Sequence, residues 1–285
     1  DILDFRTMTQ NLEPLEDQSK KLSAIILKPI MSDLKDVKIL GIIPHKILHY
    51  LSFAALPFGN DYLIDHTPLF YLPSASILDI TLSRRLNRKN TKVLAIGNPD
   101  LGDPAFDLPF SEHEVSSIQW NFPDITTRTR KDASESWLSE NIEKFGIIHL
   151  ASHGEFDPVN PLFSAIRLAK QEKADGKLEA REVFGLKINA DMVVLSACQT
   201  GLGKVTGGDD VIGLNRSFLY AGTHTTISSL WRISDISSAI LLKQFYRQYT
   251  RYNKAQSLRK AILHVKNQYP HPGYWGAFTL VGDFQ

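Results

Sequence analysis

The chain has a single cysteine, Cys198, in 285 residues. One thiol cannot build an internal disulfide framework, and it excludes a zinc site made of several thiolates. A reducing, cytoplasmic setting is the expectation. An excess of charge is missing as well: 32 Lys plus Arg stand against 31 Asp plus Glu, a formal net charge of +1. That balance argues against a dedicated electrostatic footprint for nucleic acid or an anionic membrane. The densest basic run, Arg84-Arg85-Leu86-Asn87-Arg88-Lys89, reads as a solvated helix end that complements the helix dipole rather than as a binding patch. No apolar run reaches the roughly 20 residues of a membrane-spanning helix, and no signal-peptide pattern opens the chain. Because residue 1 is Asp rather than Met, the chain is expected to be excised from a longer one.

What is present is apolar material, 43% hydrophobic against 22% charged, enough for one large domain or two small ones. Residues 11–31 place Leu12, Leu15, Leu22, Ile25, Ile26 and Ile30 at helical spacing, ended near Pro29. Residues 37–73 are short apolar pieces punctuated by Pro44, Pro57, Pro68 and Pro73, which predicts short strands and turns. Ser74 is placed to cap a helix running to Leu86. After residue 90 the pattern becomes strand (91–97), helix (112–120), short strand (125–128), helix (134–145) and strands at 147 and 192. A helix (211–220), a strand (225–231) and helices at 236–249 and 254–267 follow, and a small hairpin is expected around Ala174-Asp175-Gly176. Strands separated by helical stretches predict a mainly parallel α/β sheet with helices on both faces. The change at Asn90 divides the chain into an N-terminal helix and short-strand subdomain, 1–90, and an α/β core, 91–285.

Two strand ends carry the candidate chemistry. The apolar run Met192-Val193-Val194-Leu195-Ser196-Ala197-Cys198-Gln199-Thr200-Gly201 ends on the only thiol and a glycine turn. Upstream, Gly146-Ile147-Ile148-His149-Leu150-Ala151-Ser152-His153-Gly154 ends on an imidazole and a glycine. In open α/β sheets the ligand crevice lies at the carboxyl ends of the strands, so adjacent strands would bring His153 and Cys198 together. A free thiol titrates at about 8.5, and a neighbouring imidazole lowers that value and populates the nucleophilic thiolate. The backbone N–H groups of Gly154 and Cys198 are candidate oxyanion donors, each such donor being worth about 3 kcal/mol in an enzyme. The competing reading is a small buried cysteine and a structural histidine.

Other signals are set aside on physical grounds. His149 stands four residues before His153; on a strand that spacing is about 13 Å, too far to share a metal, so His149 reads as a core histidine. Gly201-Leu202-Gly203-Lys204 has the outline of a phosphate loop, but Val205 stands where Ser or Thr must hold magnesium, and Cys198 replaces the first glycine. No glycine-rich loop follows the strand ending at Gly97 either. No metal and no cofactor is expected.

Several segments together resemble one family. They are Ile148 to Gly154 with Phe156-Asp157, Val193 to Gly203, Arg216-Ser217-Phe218-Leu219-Tyr220-Ala221-Gly222, Ser229-Leu230-Trp231-Arg232-Ile233-Ser234-Asp235 and His271-Pro272-Gly273-Tyr274-Trp275-Gly276-Ala277-Phe278. Weaker echoes fall at Leu56-Pro57-Phe58, Tyr71-Leu72-Pro73-Ser74 and Ala95-Ile96-Gly97-Asn98-Pro99. In order and extent they resemble the CHAT domain, a caspase-like peptidase family associated with tetratricopeptide repeats and distantly similar to caspases and separase.

The resemblance implies a caspase-like α/β fold, with 91–285 as its catalytic core, and a His153 and Cys198 dyad that cleaves peptide bonds. It implies that the strand through Ile227 to Arg232 borders the substrate cleft, so that Ser229, Trp231 and Arg232 hold an extended peptide by edge-strand pairing. Asp235 precedes a helix and reads as an N-cap, with a pocket for a basic side chain as the alternative. Asp157 reads as a turn residue, with a place facing the cleft as its alternative. The implied partners are a protein substrate and an upstream repeat or sensor region that controls activity, so that the isolated chain is expected to have low activity; no nucleic acid or membrane contact is implied. The alternative within the same fold is a catalytically silent signalling or scaffold module.

Overall fold

An eight-stranded sheet organises the computed structural model, which describes residues 1–79, 90–155, 157, 159–172, 174–196, 198–199 and 210–285. In chain order the elements are α1 (Ile2–Gln10), α2 (Glu16–Ile26), β1 (Leu40–Ile42), β2 (Pro57–Phe58), β3 (Asp61–Tyr62), α3 (Leu63–His66), β4 (Leu69–Tyr71) and β5 (Val93–Pro99). There follow α4 (Pro109–Ile118), β6 (Ile125–Arg130), α5 (Glu135–Asn141), β7 (Ile147–Ala151), β8 (His153–Glu155), β9 (Ala165–Arg167), β10 (Lys177–Glu179) and α6 (Ala180–Val183). The last are β11 (Met192–Leu195), β12 (Cys198–Gln199), α7 (Asp210–Tyr220), β13 (Thr225–Ser229), α8 (Asp235–Tyr249), α9 (Lys254–Gln268) and β14 (Phe278–Gly282).

The sheet runs in the order β1-β4-β14-β13-β11-β7-β5-β6. From β6 to β13 all neighbours are parallel; β14 pairs antiparallel with β13, and β4 and β1 extend the sheet beyond it. Strands in the middle of a parallel sheet are covered on both faces and so read as unbroken apolar runs. Every residue of β5, β7 and β11 is buried. Within them the faces alternate: Val93, Ala95, Met192 and Val194 point into one core cluster, and Leu94, Ile96, Val193 and Leu195 into the other. The first cluster is closed by Val115 and Ile118 of α4, Leu241, Leu242, Phe245 and Tyr246 of α8, and Leu258 and Ile262 of α9. The second is closed by Leu138 of α5, Val183 of α6, and Leu214 and Phe218 of α7. Helices therefore cover both faces of a mainly parallel α/β sheet.

Local chemistry sets several boundaries. Ser134 accepts from the Trp137 N–H and starts α5, and Asn253 accepts from the Gln256 N–H and starts α9. The long helix expected over residues 11–31 is α2 followed by a 3-10 turn, Lys28–Ile30, where Pro29 stops the α-helical ladder. A helix ahead of it, α1, starts at a capping box on Asp1. The apolar piece at 47–53 folds as 3-10 turns, Lys46–Tyr50 and Phe53–Ala55. β9 and β10 form the expected hairpin, with Gly176 at φ +83° in its turn. Gly97 matters for packing: a Cβ there would lie 2.7 Å from Val115 Cγ2 and 2.8 Å from the Ser111 carbonyl oxygen, so glycine sets how closely α4 lies on β5.

The basic run at 84–89, the far part of the helix expected from Ser74, Phe156 and the 201–205 turn lie outside the described residues. Among the described residues no helix is long and apolar enough to cross a membrane.

Candidate active site

β7 and β11 are parallel neighbours with Leu150 opposite Leu195. Each strand then leaves the main sheet, β7 through Ser152 into β8 and β11 through Ser196 into β12, and the two continuations pair again, parallel, with His153 opposite Cys198 and Gln199 opposite Gly154. The offset in residue number is unchanged across the bend, so one register governs both pairs. Neighbouring strands stand about 4.8 Å apart. The backbones of the sole cysteine and of His153 are thus adjacent at the carboxyl end of the sheet.

The second sheet, β10-β9-β8-β12, supports this corner. Ser152, 1% exposed, donates its hydroxyl to the Arg167 carbonyl of β9. Glu155, at the far end of β8, accepts from Arg167 of β9 and, at 2.8 Å, from Lys177 of β10. Burial alone would raise the Glu155 carboxyl, but the hydrogen bonds from Lys177 and Arg167 outweigh it and hold the group below its ordinary value. Gly154 has strand neighbours on both sides, Ile166 of β9 and Gln199 of β12.

The His153 ring is fixed from a direction that sequence patterns do not report. Its Nε2 lies 2.9 Å from the Phe106 carbonyl oxygen, and the Phe106 ring meets it edge-on at 5.8 Å between centroids. A carbonyl oxygen only accepts, so Nε2 carries the proton and Nδ1 is the basic nitrogen of the neutral ring.

Beside His153 is a recess lined by Ser152, Glu114, Ser196, Arg232, Asp235 and Ser238. Glu114, which lines it, begins a buried polar chain. Glu114 Oε1 is 2.8 Å from His149 Nε2, and His149 Nδ1 is 3.0 Å from the Tyr246 hydroxyl, with His149 fully buried as the sequence suggested. Burial first, and then the Glu114 charge, push the Tyr246 hydroxyl well above its ordinary value. It therefore stays protonated and donates to Nδ1, which leaves the Nε2–H of His149 facing Glu114.

The other expected residues separate. Arg232 and Asp235 are exposed and line the recess with His153. Ser234 holds the N-cap position of α8, so Asp235 is the first helical residue and complements the helix dipole from there. Trp231 is fully buried, its indole N–H directed at the Gly273 carbonyl 3.3 Å away, so the indole belongs to the core and not to the recess. Ser229 ends β13, which is an interior strand: Ser229 pairs with Phe278 of β14, and Leu230 N–H donates to the Ala277 carbonyl. Edge pairing on that side is closed by β14, a strand that the helix and strand spacing of the sequence did not reveal. On its other side Ser229 faces Ser196, where β11 stops at Leu195 opposite Ser228 and no strand among the described residues pairs with it. Asp157 Oδ1 accepts from the N–H groups of Val159 and Asn160, each at 2.9 Å, which is the turn role.

Phe106, Glu114 and Ser196 went unpredicted. Phe106 contributes a main-chain oxygen, which any residue type supplies, and Glu114 reads as one more polar residue of an amphipathic helix. Among the described residues no group of three or more His, Cys, Asp and Glu side chains is arranged to hold a metal ion.

A parallel caspase-like sheet that carries histidine and cysteine at the carboxyl ends of neighbouring strands defines a class of α/β protein. Solved structures with this fold include the Arg-specific cysteine proteinase gingipain R, with a TM-score of 0.61 and 13% identity over all of this chain and 74% of that one. The Saccharomyces cerevisiae separase–securin complex matches with a TM-score of 0.55 and 16% identity over 83% of this chain and 15% of that one.

Residues 16–283 match the CHAT domain, and the chain belongs to the CHAT family. It is 33% identical to mouse tetratricopeptide repeat protein 28 and 25% identical to the human protein of that name, over 83% of this chain in each case. The chain spans only 12% of the length of these relatives.

Proposed function

We propose that the domain is a cysteine endopeptidase acting on protein partners, with Cys198 as nucleophile and His153 as general base and acid. The observation that carries this reading is the register pairing of His153 with Cys198 at the carboxyl ends of their strands. The thiol proton passes to His153 Nδ1, the nitrogen left basic by the Phe106 contact, and the sulfur attacks the scissile carbonyl carbon. The N–H groups of Gly154 and Cys198 are the proposed donors to the oxyanion that forms. As the C–N bond breaks, the amine takes the proton from Nδ1 and a thioester remains. Water then adds to the thioester, giving its proton to Nδ1, and departure of the acid restores the thiol.

Substrate lies extended along the open side of the Ser229 to Arg232 segment, where β11 has ended, and main-chain pairing there supplies affinity. Arg232 and Asp235 flank its side chains, and Asp235 is the group suited to a basic one. Asp157, committed to its turn, contributes by shaping the chain after β8. The partners are protein substrates and a regulatory region of the longer protein that controls activity, so that the chain by itself has low activity.

The test is incubation of a candidate partner mixture with wild-type and Cys198→Ala protein, with new peptide termini read by mass spectrometry. Termini that appear only with the wild type, and that share a basic residue before the cut, support the reading. An identical set of termini with both proteins overturns it.

A further inference from the structure

The loop between β5 and α4, which presents the Phe106 carbonyl to His153, is gripped by two residues with unusual backbone. Arg130 ends β6, and Asn98 stands one residue before the end of its parallel neighbour β5, where the register between the two strands shifts; both have left-handed backbone, φ +47° for Asn98 and +53° for Arg130, a conformation that side-chain-bearing residues rarely adopt. Backbone of this kind persists where the surrounding structure over-determines it, and it concentrates at functional sites.

Both grips converge on the same few residues. Asn98 is 4% exposed; its Oδ1 accepts from the Leu108 N–H at 2.7 Å while its Nδ2 donates to Glu112 Oε1 at 2.7 Å. One side chain thereby ties the end of the loop to α4. The Arg130 guanidinium bonds Asp107 Oδ1 at 2.6 Å, and its own carbonyl accepts from the Asp100 N–H at 3.1 Å, so it holds the loop at both ends. Between these anchors the loop is closed on itself, with Phe106 N–H donating to the Asp103 carbonyl and Asp107 N–H to that of Pro104. What leaves it toward the site is the Phe106 carbonyl, 2.9 Å from His153 Nε2.

We infer that Asn98 and Arg130 are positioning residues for His153: by fixing the Phe106 carbonyl they hold the imidazole in its Nε2–H form, with Nδ1 as the base. The step from an ordered imidazole to a reactive thiol rests on the dyad proposed above; the step from Asn98 and Arg130 to the imidazole does not. Neither side chain touches the reacting atoms.

The variants are Asn98→Gly and Arg130→Gly, which keep the left-handed backbone without strain and delete only the side-chain grips, and Arg130→Lys, which keeps the cation. Arg130 is partly exposed, so its glycine variant carries the test even where Asn98→Gly fails to fold. The first readout is the imidazole nitrogen-15 spectrum, with the His153 signal identified by its loss in His153→Ala. The wild type and Arg130→Lys should show one Nε2–H form, and both glycine variants a mixture of the two neutral forms. The second is alkylation of the sole cysteine by iodoacetamide at neutral pH. Wild type should react about tenfold faster than His153→Ala, and the glycine variants should fall to within about threefold of it. Unchanged His153 nitrogen signals in folded Arg130→Gly overturn the inference. Equal alkylation of wild type and His153→Ala, with the tautomer shift still present, overturns the dyad and leaves the inference standing.

Discussion

His153 and Cys198 are opposite one another on adjacent parallel strands, after both strands have bent out of the main sheet. The bend is what makes the pair available, since within the sheet their strands are covered on both faces. Beyond it His153 lines the recess that also holds Ser196, Arg232 and Asp235.

Because both residues follow the buried strands β7 and β11 in the chain, we expect their removal to cost activity and not stability. Cys198→Ala and His153→Ala are each expected to lower cleavage by on the order of 10³-fold or more. Thermal unfolding midpoints should stay close to the wild type. A midpoint drop large enough to unfold either variant at assay temperature would show that the pair is structural.

Glu155 makes the support of β8 dependent on pH. Its carboxyl is held below the ordinary value in the folded chain, so its stabilisation is present above the unfolded carboxylate range and is lost as pH falls through the lower folded value. With the side chain 38% exposed, solvent screening limits the effect to less than about 1 kcal/mol. Glu155→Gln should be slightly less stable than wild type at about pH 7 and indistinguishable from it at about pH 2.5 in urea titrations. A gap that widens on acidification would refute this assignment.

The chain Glu114, His149 and Tyr246 predicts unequal costs. Tyr246→Phe removes one hydrogen bond and should cost about 1–2 kcal/mol. His149→Leu should cost about 3 kcal/mol or more, because it strands both a carboxylate and a hydroxyl in the interior. Denaturant titrations of the two variants check the order; equal losses would mean that the histidine bridges nothing.

Lys254 is fully buried at the start of α9, its Nζ 2.8 Å from Asp191 Oδ1 and 3.8 Å from Asp283 Oδ2. Lys254→Met leaves two carboxylates without their cation and should cost about 3–5 kcal/mol. Adding Asp283→Asn to that variant should recover part of the loss, since the sites share one partner. Additive losses in the double variant would argue against a shared charge.

The strands of the core were legible from the chain because a buried parallel strand demands an unbroken apolar run, and β5, β7 and β11 provide it. The helices α4, α5, α7, α8 and α9 were legible from periodicity and from caps such as Ser134. β14 was not, because this five-residue strand follows the turn-rich Pro272-Gly273-Tyr274-Trp275-Gly276 segment and runs antiparallel to β13, outside the parallel strand and helix alternation. That strand closes one side of Ser229 and leaves, among the described residues, only the side facing Ser196 without a paired strand.

By itself the sequence determined which residues end the buried strands: a strand end is a local matter of where apolar residues stop, and His153 and Cys198 stand at such stops. Which side chains gather around His153 was decided only by tertiary structure. Phe106 contributes a carbonyl, Asn98 and Arg130 an unusual backbone angle, Glu114 a position on a helix that Gly97 allows to lie close. None of these leaves a pattern along the chain, because a main-chain oxygen and a crossing distance belong to the fold and not to any residue type.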